Sequence, residues 1–287
     1  MRVLITNDDG IQSRGLTVLA NVARDAGAEV IVAAPHRQYS GASASLSAQE
    51  VDGRLALVDK RPPDLPDDVE ALGVKAAPAL ITFVAAHGAF GPPPDFVLSG
   101  VNLGANTGRA TLHSGTVGAA LSASMQGINA LAVSIASADP QHWETARLVT
   151  EHAFAWLREQ PVDDRVLNIN VPDIPPNQLR GLRPAHLASF GAVQARVREK
   201  GKDYVMLTYS GVSAREEPGS DHDLLTRGWA TATLLSAGYD DPGDTELPSF
   251  EGRREGPVTV DVSAGTVMSS GADRPAGEIA AEQVADD

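Results

Sequence analysis

The sequence predicts an α/β fold in which helices cover both faces of a parallel sheet. Two observations support this prediction. Short runs of consecutive apolar residues alternate along the first 180 residues with segments whose apolar residues recur every three or four positions. The runs are typical of strands buried on both faces, and the spaced residues are typical of helices. Polar, Gly-rich loops follow several of the runs, at the edge of the sheet where such folds bind ligands.

The first elements are short and closely spaced. Val3–Ile5 predicts a strand that runs into the sequence NDDG. The helix that follows has Leu16, Leu19, Ala20 and Ala23 on one face and ends at Gly27. AEVIVAAP predicts the second strand. An irregular, Pro-rich region (DKRPPDLPDD) separates it from the helix PALITFVAAHG, where Pro78 stands near the helix start.

The alternation continues beyond this helix. PDFVLSGVNLGAN predicts a strand ending in a Gly- and Asn-rich loop, and SGTVGAALSASMQG predicts a helix of small residues with Ser or Thr as its cap. ALAVSIAS and VLNINVP predict strands on either side of the amphipathic helix HWETARLVTEHAFAWLREQ. A hairpin around Glu199–Lys202 follows, and DHDLLTRGWATATLLSAG predicts a helix and then a strand. We expect this C-terminal part to pack on the first part or on a second subunit.

Composition narrows the class of function. The net charge of −14 argues against binding to the backbone of a nucleic-acid polymer, which requires clustered Lys and Arg. Cysteine is absent, which excludes disulfides, thiolate chemistry and zinc–cysteine sites. The N-terminus lacks a signal-peptide pattern, and no apolar run approaches the roughly 20 residues of a membrane span. We therefore expect a cytoplasmic protein without a membrane partner.

Domain boundaries follow from the same patterns. We assign residues 1–250 to one domain, with a core at about 1–180 and a C-terminal extension at about 181–250. From Glu255 onward the chain has seven acidic residues, one basic residue and no aromatic residue. Such a composition is typical of a solvated tail, although the piece VTVDV could instead add a strand. We predict that residues 251–287 form an acidic, largely disordered tail.

The adjacent carboxylates of Asp8 and Asp9 need an explanation. Their repulsion at close range is on the order of 4 kcal/mol at an effective dielectric near 20. One interpretation is a tight turn, because Asp-Gly is a common turn pair. The other is a site for a hard divalent cation, which prefers carboxylate and neutral oxygen ligands and would offset the repulsion. The pattern differs from the DxD of haloacid-type hydrolases and from the HPDD of zinc deacetylases.

Three further segments would meet NDDG at the same edge of the sheet. Ser40, in the loop 37–45, and Asn102, in the loop 99–106, are either turn residues or neutral ligands. The segment 112–120 (LHSGTVGAA) is either a simple helix cap or a phosphate cradle made of backbone N–H groups and hydroxyls. His36 and His113 flank this region, either as proton donors or as residues at its rim.

Four motifs in this order resemble the SurE (survival protein E) family: ITNDDG, APHRQYSGASASLS, SGVNLGANTG and HSGTVGAALSASMQGINALAVS. The similarity extends from Met1 to about Gly238. It implies a Rossmann-like domain whose C-terminal part is exchanged between the subunits of a dimer or tetramer. It also implies a metal-dependent 5′/3′-nucleotidase that hydrolyses nucleoside monophosphates with one Mg²⁺ or Mn²⁺ ion per subunit.

The resemblance also assigns roles to single residues. The catalytic and metal-binding carboxylates would be Asp8 and Asp9, and Ser40 and Asn102 would complete the metal site. The phosphate would be bound by Asn106, Ser114, Gly115 and Thr116.

One departure from the family leaves an alternative open. Family members usually have a TPxDC-like helix start where this chain has AAPALITFV (76–84), so contacts to the nucleoside are in question. The alternative function is therefore a nucleotide- or phosphate-binding protein with weak or lost catalysis. A Rossmann dehydrogenase is set aside because GxGxxG is missing after the first strand.

Overall fold

The computed structural model describes residues 1–189, 193–211 and 217–236. The tail proposed for residues 251–287 lies outside these ranges. Thirteen strands occur in the described residues: β1 Arg2–Thr6, β2 Glu29–Pro35, β3 Glu50–Val51, β4 Arg54–Leu55, β5 Leu57–Val58, β6 Glu70–Val74, β7 Phe96–Leu103, β8 Asn129–Ile135, β9 Arg165–Val171, β10 Leu182–Pro184, β11 Val193–Lys200, β12 Val205–Gly211 and β13 Ala230–Ser236. The α-helices are α1 Arg14–Asp25, α2 Pro78–Ala86, α3 Gly115–Ser124, α4 Trp143–Leu157 and α5 Asp221–Thr226.

Nine of the strands form one central sheet in the order β10-β13-β9-β8-β7-β1-β2-β6-β5. Its centre, from β9 to β6, is parallel throughout. Near the edges the direction changes, because β13 runs antiparallel to β9 and β5 runs antiparallel to β6. The prediction of a Rossmann-like α/β fold is confirmed.

The helices cover both faces of this sheet. Val3 and Ile5 of β1 pack into one apolar cluster with α1 and α4, whereas Leu4 packs into a second cluster with α2 and α3. All three side chains are fully buried. Continuous apolar runs are thus explained by burial on both faces of a central strand.

Strand order creates a crevice beside β1. The chain leaves β1 toward β2 and β6 on one side, and then returns to β7 and β8 on the other side. This reversal is a topological switch point, at which ligands bind outside the carboxyl ends of the strands. The residues at that point are NDDG, after β1, and the loop that ends β7.

The sequence prediction missed β6 and four shorter strands, β3, β4, β5 and β10. β6 (Glu70–Val74) pairs in parallel with β2 and follows the Pro-rich stretch 59–68. Its sequence, EALGV, is short, contains a glycine and is only partly buried, so it lacks a clear strand pattern. The other predicted helices and strands, including the hairpin of β11 and β12, are confirmed. None of the described helices has the length and apolar character needed to cross a bilayer.

Candidate active site

The NDDG loop is a tight turn closed by its first residue. The amide N–H of Gly10 donates to Asn7 Oδ1 at 3.1 Å, and Asn7 Nδ2 donates to the carbonyl oxygen of Gly10 at 3.2 Å. The side chain of Asn7 thereby makes the hydrogen bonds that close the turn. The two aspartate side chains are therefore left for other partners.

Two other loops are hydrogen-bonded to this turn. The amide N–H of Tyr39 donates to the carbonyl oxygen of Asp8 at 2.7 Å, and the amide N–H of Leu103 donates to Asp9 Oδ2 at 3.1 Å. Tyr39 and Leu103 adjoin the predicted ligands Ser40 and Asn102 in the chain. The structure therefore brings these loops together at the switch point, as expected for parallel strands.

Asp8 is held by the start of α3. Its side chain is almost fully buried, with 4% exposed, and Oδ1 accepts a hydrogen bond from the hydroxyl of Thr116. Burial raises the pKa of the Asp8 carboxyl above its usual value, while hydrogen bonds from Thr116 and from the backbone of the first turn of α3 act in the opposite direction. A Cβ atom on Gly115 would lie 2.8 Å from Asp8 Oδ2, so only glycine fits at that position. Helix α3 is in direct contact with the carboxylate.

The pKa of the Asp9 carboxyl is raised by a similar combination of causes. Burial and then the neighbouring charge of Asp8 raise the pKa of Asp9 to about 6, although the bond from Leu103 lowers it. In the described part of the chain, no Lys, Arg or His nitrogen lies within 4.0 Å of either carboxylate. The described residues thus supply no ion-pair partner to offset the two charges.

This donor set fits a hard divalent cation. Two adjacent carboxylates with raised pKa values gain stability from any nearby positive charge, and carboxylate oxygen is a preferred ligand of Mg²⁺ and Mn²⁺. The described residues contain no cluster of three or more His, Asp or Glu side chains that could hold a metal ion. Neutral oxygen atoms would therefore have to complete the site.

Ser40 and Asn102 are the neutral oxygen candidates at this edge. Ser40 is exposed, and its Oγ accepts a hydrogen bond from Gln38 Nε2 at 2.9 Å. Asn102 is half-buried, and its Nδ2 donates to the carbonyl oxygen of Gly104 at 2.7 Å. This bond uses the amide nitrogen of Asn102, and the side-chain oxygen remains the atom suited to a metal.

Asn106 is positioned by two asparagines of β9. Asn170 Oδ1 accepts from the amide N–H of Asn106 at 2.7 Å, and the side-chain amides of Asn168 and Asn170 both donate to its carbonyl oxygen at 3.0 Å. Asn106 Nδ2 donates to Ser134 Oγ at 2.8 Å. The sequence contained a signal for this arrangement, because two fully buried asparagines in the strand LNINV contradict the usual depletion of Asn from strands.

Asp221 is a further residue whose role was missed. It is fully buried, and its carboxylate accepts from the amide N–H groups of Gly108, Ala188 and His222 at 2.8–2.9 Å. Asp221 thereby ties the segment after Asn106 to the C-terminal extension. In the sequence it was only the first residue of the motif DHDLL, with no indication of burial.

Residues 114–116 make contacts within the protein. Ser114 Oγ accepts from the amide N–H of Val117 at 3.1 Å and caps α3, as predicted. Thr116 contacts Asp8. The loop 37–45 packs against the same helix, because a Cβ on Gly118 would lie 2.2 Å from the carbonyl oxygen of Ser43. Ser43 also contacts His113 and Leu112 through their carbonyl oxygens.

His36, beside the site, is poorly suited to donate a proton at neutral pH. His36 is half-buried, and its amide N–H donates to the carbonyl oxygen of Val74 at 2.8 Å. Burial lowers the pKa of His36 below its usual value, with smaller contributions from the nearby positive charges of Arg37, Lys75 and Lys60. The neutral imidazole is thus favoured at neutral pH.

A cleft of about 630 Å³ opens next to Asp9. Asp9 and Leu103 line its inner end, and its outer walls come from the start of α1 and the residues that precede and begin α4. Its size is within the usual 300–1,000 Å³ of small-molecule sites. A small ligand held at the carboxylates can therefore extend into this cleft.

Comparisons with known proteins match this architecture. Residues 3–193 match the family model described as "Survival protein SurE". The chain is 35% identical over 241 residues to a 5′-nucleotidase SurE of Stenotrophomonas maltophilia (strain R551-3), covering 82% of this chain and 89% of the relative. It is 34% identical over 245 residues to that of Methylococcus capsulatus, with 82% and 91% covered. The crystal structure of the SurE protein from Aquifex aeolicus superimposes with a TM-score of 0.68 at 26% identity, covering 82% of this chain and 93% of that one.

Proposed function

The chain belongs to the survival protein SurE family, and we propose that it is a 5′-nucleotidase that needs a divalent metal ion. Its relatives in Stenotrophomonas maltophilia and Methylococcus capsulatus carry the name 5′-nucleotidase SurE. The observation that carries the metal requirement is the carboxylate pair of buried Asp8 and half-buried Asp9, which has no cationic partner among the described residues. The substrates are nucleoside 5′-monophosphates, and we extend the proposal to 3′-monophosphates.

The protein groups have separate roles in this proposal. Asp8 and Asp9 hold Mg²⁺ or Mn²⁺, with Ser40 and Asn102 as neutral ligands. When bound, the ion supplies positive charge to a phosphate oxygen and acidifies a water molecule for in-line attack. Thr116 fixes the orientation of Asp8 through its hydroxyl, and Leu103 fixes Asp9 through its amide.

Charge on the phosphoryl oxygens would be stabilised by donors fixed before substrate binds. The backbone of Asn106 is fastened by three hydrogen bonds, so its side chain is held at the strand ends without reorganisation. The N-terminus of α3 at Ser114–Thr116 contributes the positive end of a helix dipole. The same turn orients Asp8, which couples the phosphate site to the metal site.

A substrate panel tests the reaction. We expect hydrolysis of nucleoside 5′- and 3′-monophosphates with Mg²⁺ or Mn²⁺, and loss of hydrolysis with EDTA. Asp8→Asn should abolish turnover while circular dichroism shows the wild-type fold, because the amide cannot balance the dication. Near-normal turnover by Asp8→Asn in metal-replete buffer would refute the assignment. Nucleotide binding with no hydrolysis by the wild type would instead support the alternative, a binding protein.

We also propose that the protein forms a homodimer or homotetramer by exchange of its C-terminal part. Strands β11 and β12 pair with each other and with no other described strand. Their hairpin exposes large apolar side chains, namely Val197, Tyr204, Val205 and Met206, each more than 40% exposed. A second subunit would bury them. Light scattering after size exclusion tests this, and a monomer at micromolar concentration would contradict it.

A further inference from the structure

We propose that the cleft beside Asp9 binds the nucleobase of the substrate, stacked on the indole of Trp143; this inference rests on the nucleotidase function proposed above. The cleft shares Asp9 and Leu103 with the candidate metal site. A nucleoside whose phosphate sits at the carboxylates has a direct path into it. It joins a candidate metal ligand to an aromatic wall.

Trp143 is suited to act as a stacking platform. The side chain is half-buried and packs on its inner side against the core beneath α1 and α4, while it also lines the cleft. It is the first residue of α4, and the turn before it is fastened by Asp173. The carboxylate of Asp173 accepts from the amide N–H groups of Gln141 at 3.1 Å and His142 at 2.9 Å. The indole is therefore held in place before a ligand arrives.

Arg14 faces the same indole from the opposite wall. Its guanidinium carbon lies 5.9 Å from the centre of the Trp143 ring, at the outer limit of a cation–π contact. Arg14 is exposed at the surface, so it can move outward and admit a planar group. Bases commonly stack on aromatic rings and on guanidinium planes, and both surfaces are present here. The geometry thus matches a flat, uncharged ring better than a second phosphate.

Two glutamines that line the cleft supply hydrogen-bonding groups for a base. Gln141 Nε2 donates to the carbonyl oxygen of Asp139 at 2.9 Å, and Gln38 Nε2 donates to Ser40 Oγ at 2.9 Å. Each contact uses one of the two N–H groups of the amide, so each side chain keeps one N–H donor and its oxygen acceptor for a ligand. Either glutamine can therefore form a paired donor–acceptor contact with the edge of a base.

Calorimetric titration with adenosine in EDTA tests the proposal without phosphate or metal. We expect adenosine to bind the wild type more tightly than ribose does. Trp143→Leu keeps an apolar group against the core but removes the ring, and should weaken adenosine binding by about tenfold or more. Trp143→Phe should restore most of the affinity. The matched control is Trp156→Leu, near the other end of α4, where the side chain is 44% exposed and lies outside the cleft.

The outcomes separate this proposal from the nucleotidase function. Adenosine binding that is absent from the wild type, or unchanged in Trp143→Leu, overturns the nucleobase site. The advantage of AMP over ribose 5-phosphate in kcat/KM should also fall about tenfold in Trp143→Leu. If the wild type has no metal-dependent phosphatase activity, the nucleotidase function is refuted. The adenosine titration would still show whether the cleft binds a nucleobase.

Discussion

Replacing Asp9 by Asn should stabilise the metal-free protein at neutral pH. Burial and the charge of Asp8 raise the pKa of Asp9 from 3.8 to about 6 in the folded state. A raised pKa means that the folded protein favours the protonated carboxyl. The contribution of the protonated Asp9 carboxyl to stability is therefore fully present below about pH 4 and is lost as the pH rises through about 6. Above that range, the ionised Asp9 destabilises the fold until a cation binds.

The magnitude follows from the shift itself. One pKa unit corresponds to about 1.4 kcal/mol, so the rise to about 6 corresponds to about 3 kcal/mol between the acidic and neutral limits. Partial exposure of Asp9 reduces this to about 2–3 kcal/mol. Asn keeps an oxygen that can accept the hydrogen bond from Leu103 and carries no charge. The gain on Asp9→Asn should therefore be about 2–3 kcal/mol at pH 7.5 and should shrink to about 1 kcal/mol at pH 4.5.

Urea unfolding in EDTA at these two pH values measures the effect. Asp67→Asn is the matched control, because Asp67 is exposed and its replacement changes the net charge by the same amount. Its unfolding free energy should stay close to that of the wild type at both pH values. If Asp9→Asn is no more stable than the wild type at pH 7.5, or if its gain persists unchanged at pH 4.5, the electrostatic account of the carboxylate pair is wrong.

Metal should offset this difference in stability. Binding to the folded state alone stabilises by about 2.7 kcal/mol when the free ion is at 100 times its dissociation constant. Excess Mn²⁺ should therefore stabilise the wild type by this order of magnitude and Asp9→Asn much less. Equal stabilisation of the two proteins by Mn²⁺ would place the ion elsewhere.

Three further substitutions probe the supports of the site. Thr116→Val removes the hydroxyl that donates to Asp8. Because a hydrogen bond to a charged group contributes about 1.5–3 kcal/mol, the Mn²⁺ affinity measured by calorimetry should fall about tenfold or more at pH 7. An unchanged affinity would contradict this role. Gly118→Ala places a Cβ 2.2 Å from the carbonyl oxygen of Ser43, so urea unfolding should show a loss of about 1–3 kcal/mol despite the better helix propensity of Ala. Asp221→Asn turns one acceptor oxygen into a donor facing backbone N–H groups, and should cost about 2 kcal/mol or more in the same assay; a loss below about 0.5 kcal/mol would show that the clamp is dispensable.

The sequence by itself determined most of the local elements and provided the hypothesis for the residues of the candidate site. Apolar runs and helical spacing are properties of neighbouring residues, so β1, α1 and the capped start of α3 could be predicted from them. The missing side-chain cap of α2 was also visible, and the structure shows Ala77 at that position without a cap hydrogen bond. The sequence prediction missed β6 because its five residues are too few and too weakly patterned to outweigh the prolines that precede it.

Only the tertiary structure decided what each site residue contacts. Thr116 was predicted to bind phosphate, and the fold places its hydroxyl against Asp8, a residue 108 positions away. Asn168, Asn170 and Asp221 gained roles because strand order and crossovers bring their segments to Asn106 and Gly108. The physical reason is that pKa shifts and buried hydrogen bonds depend on distance and solvent exclusion, which arise when remote segments pack together. Local sequence patterns carry no information about those distances.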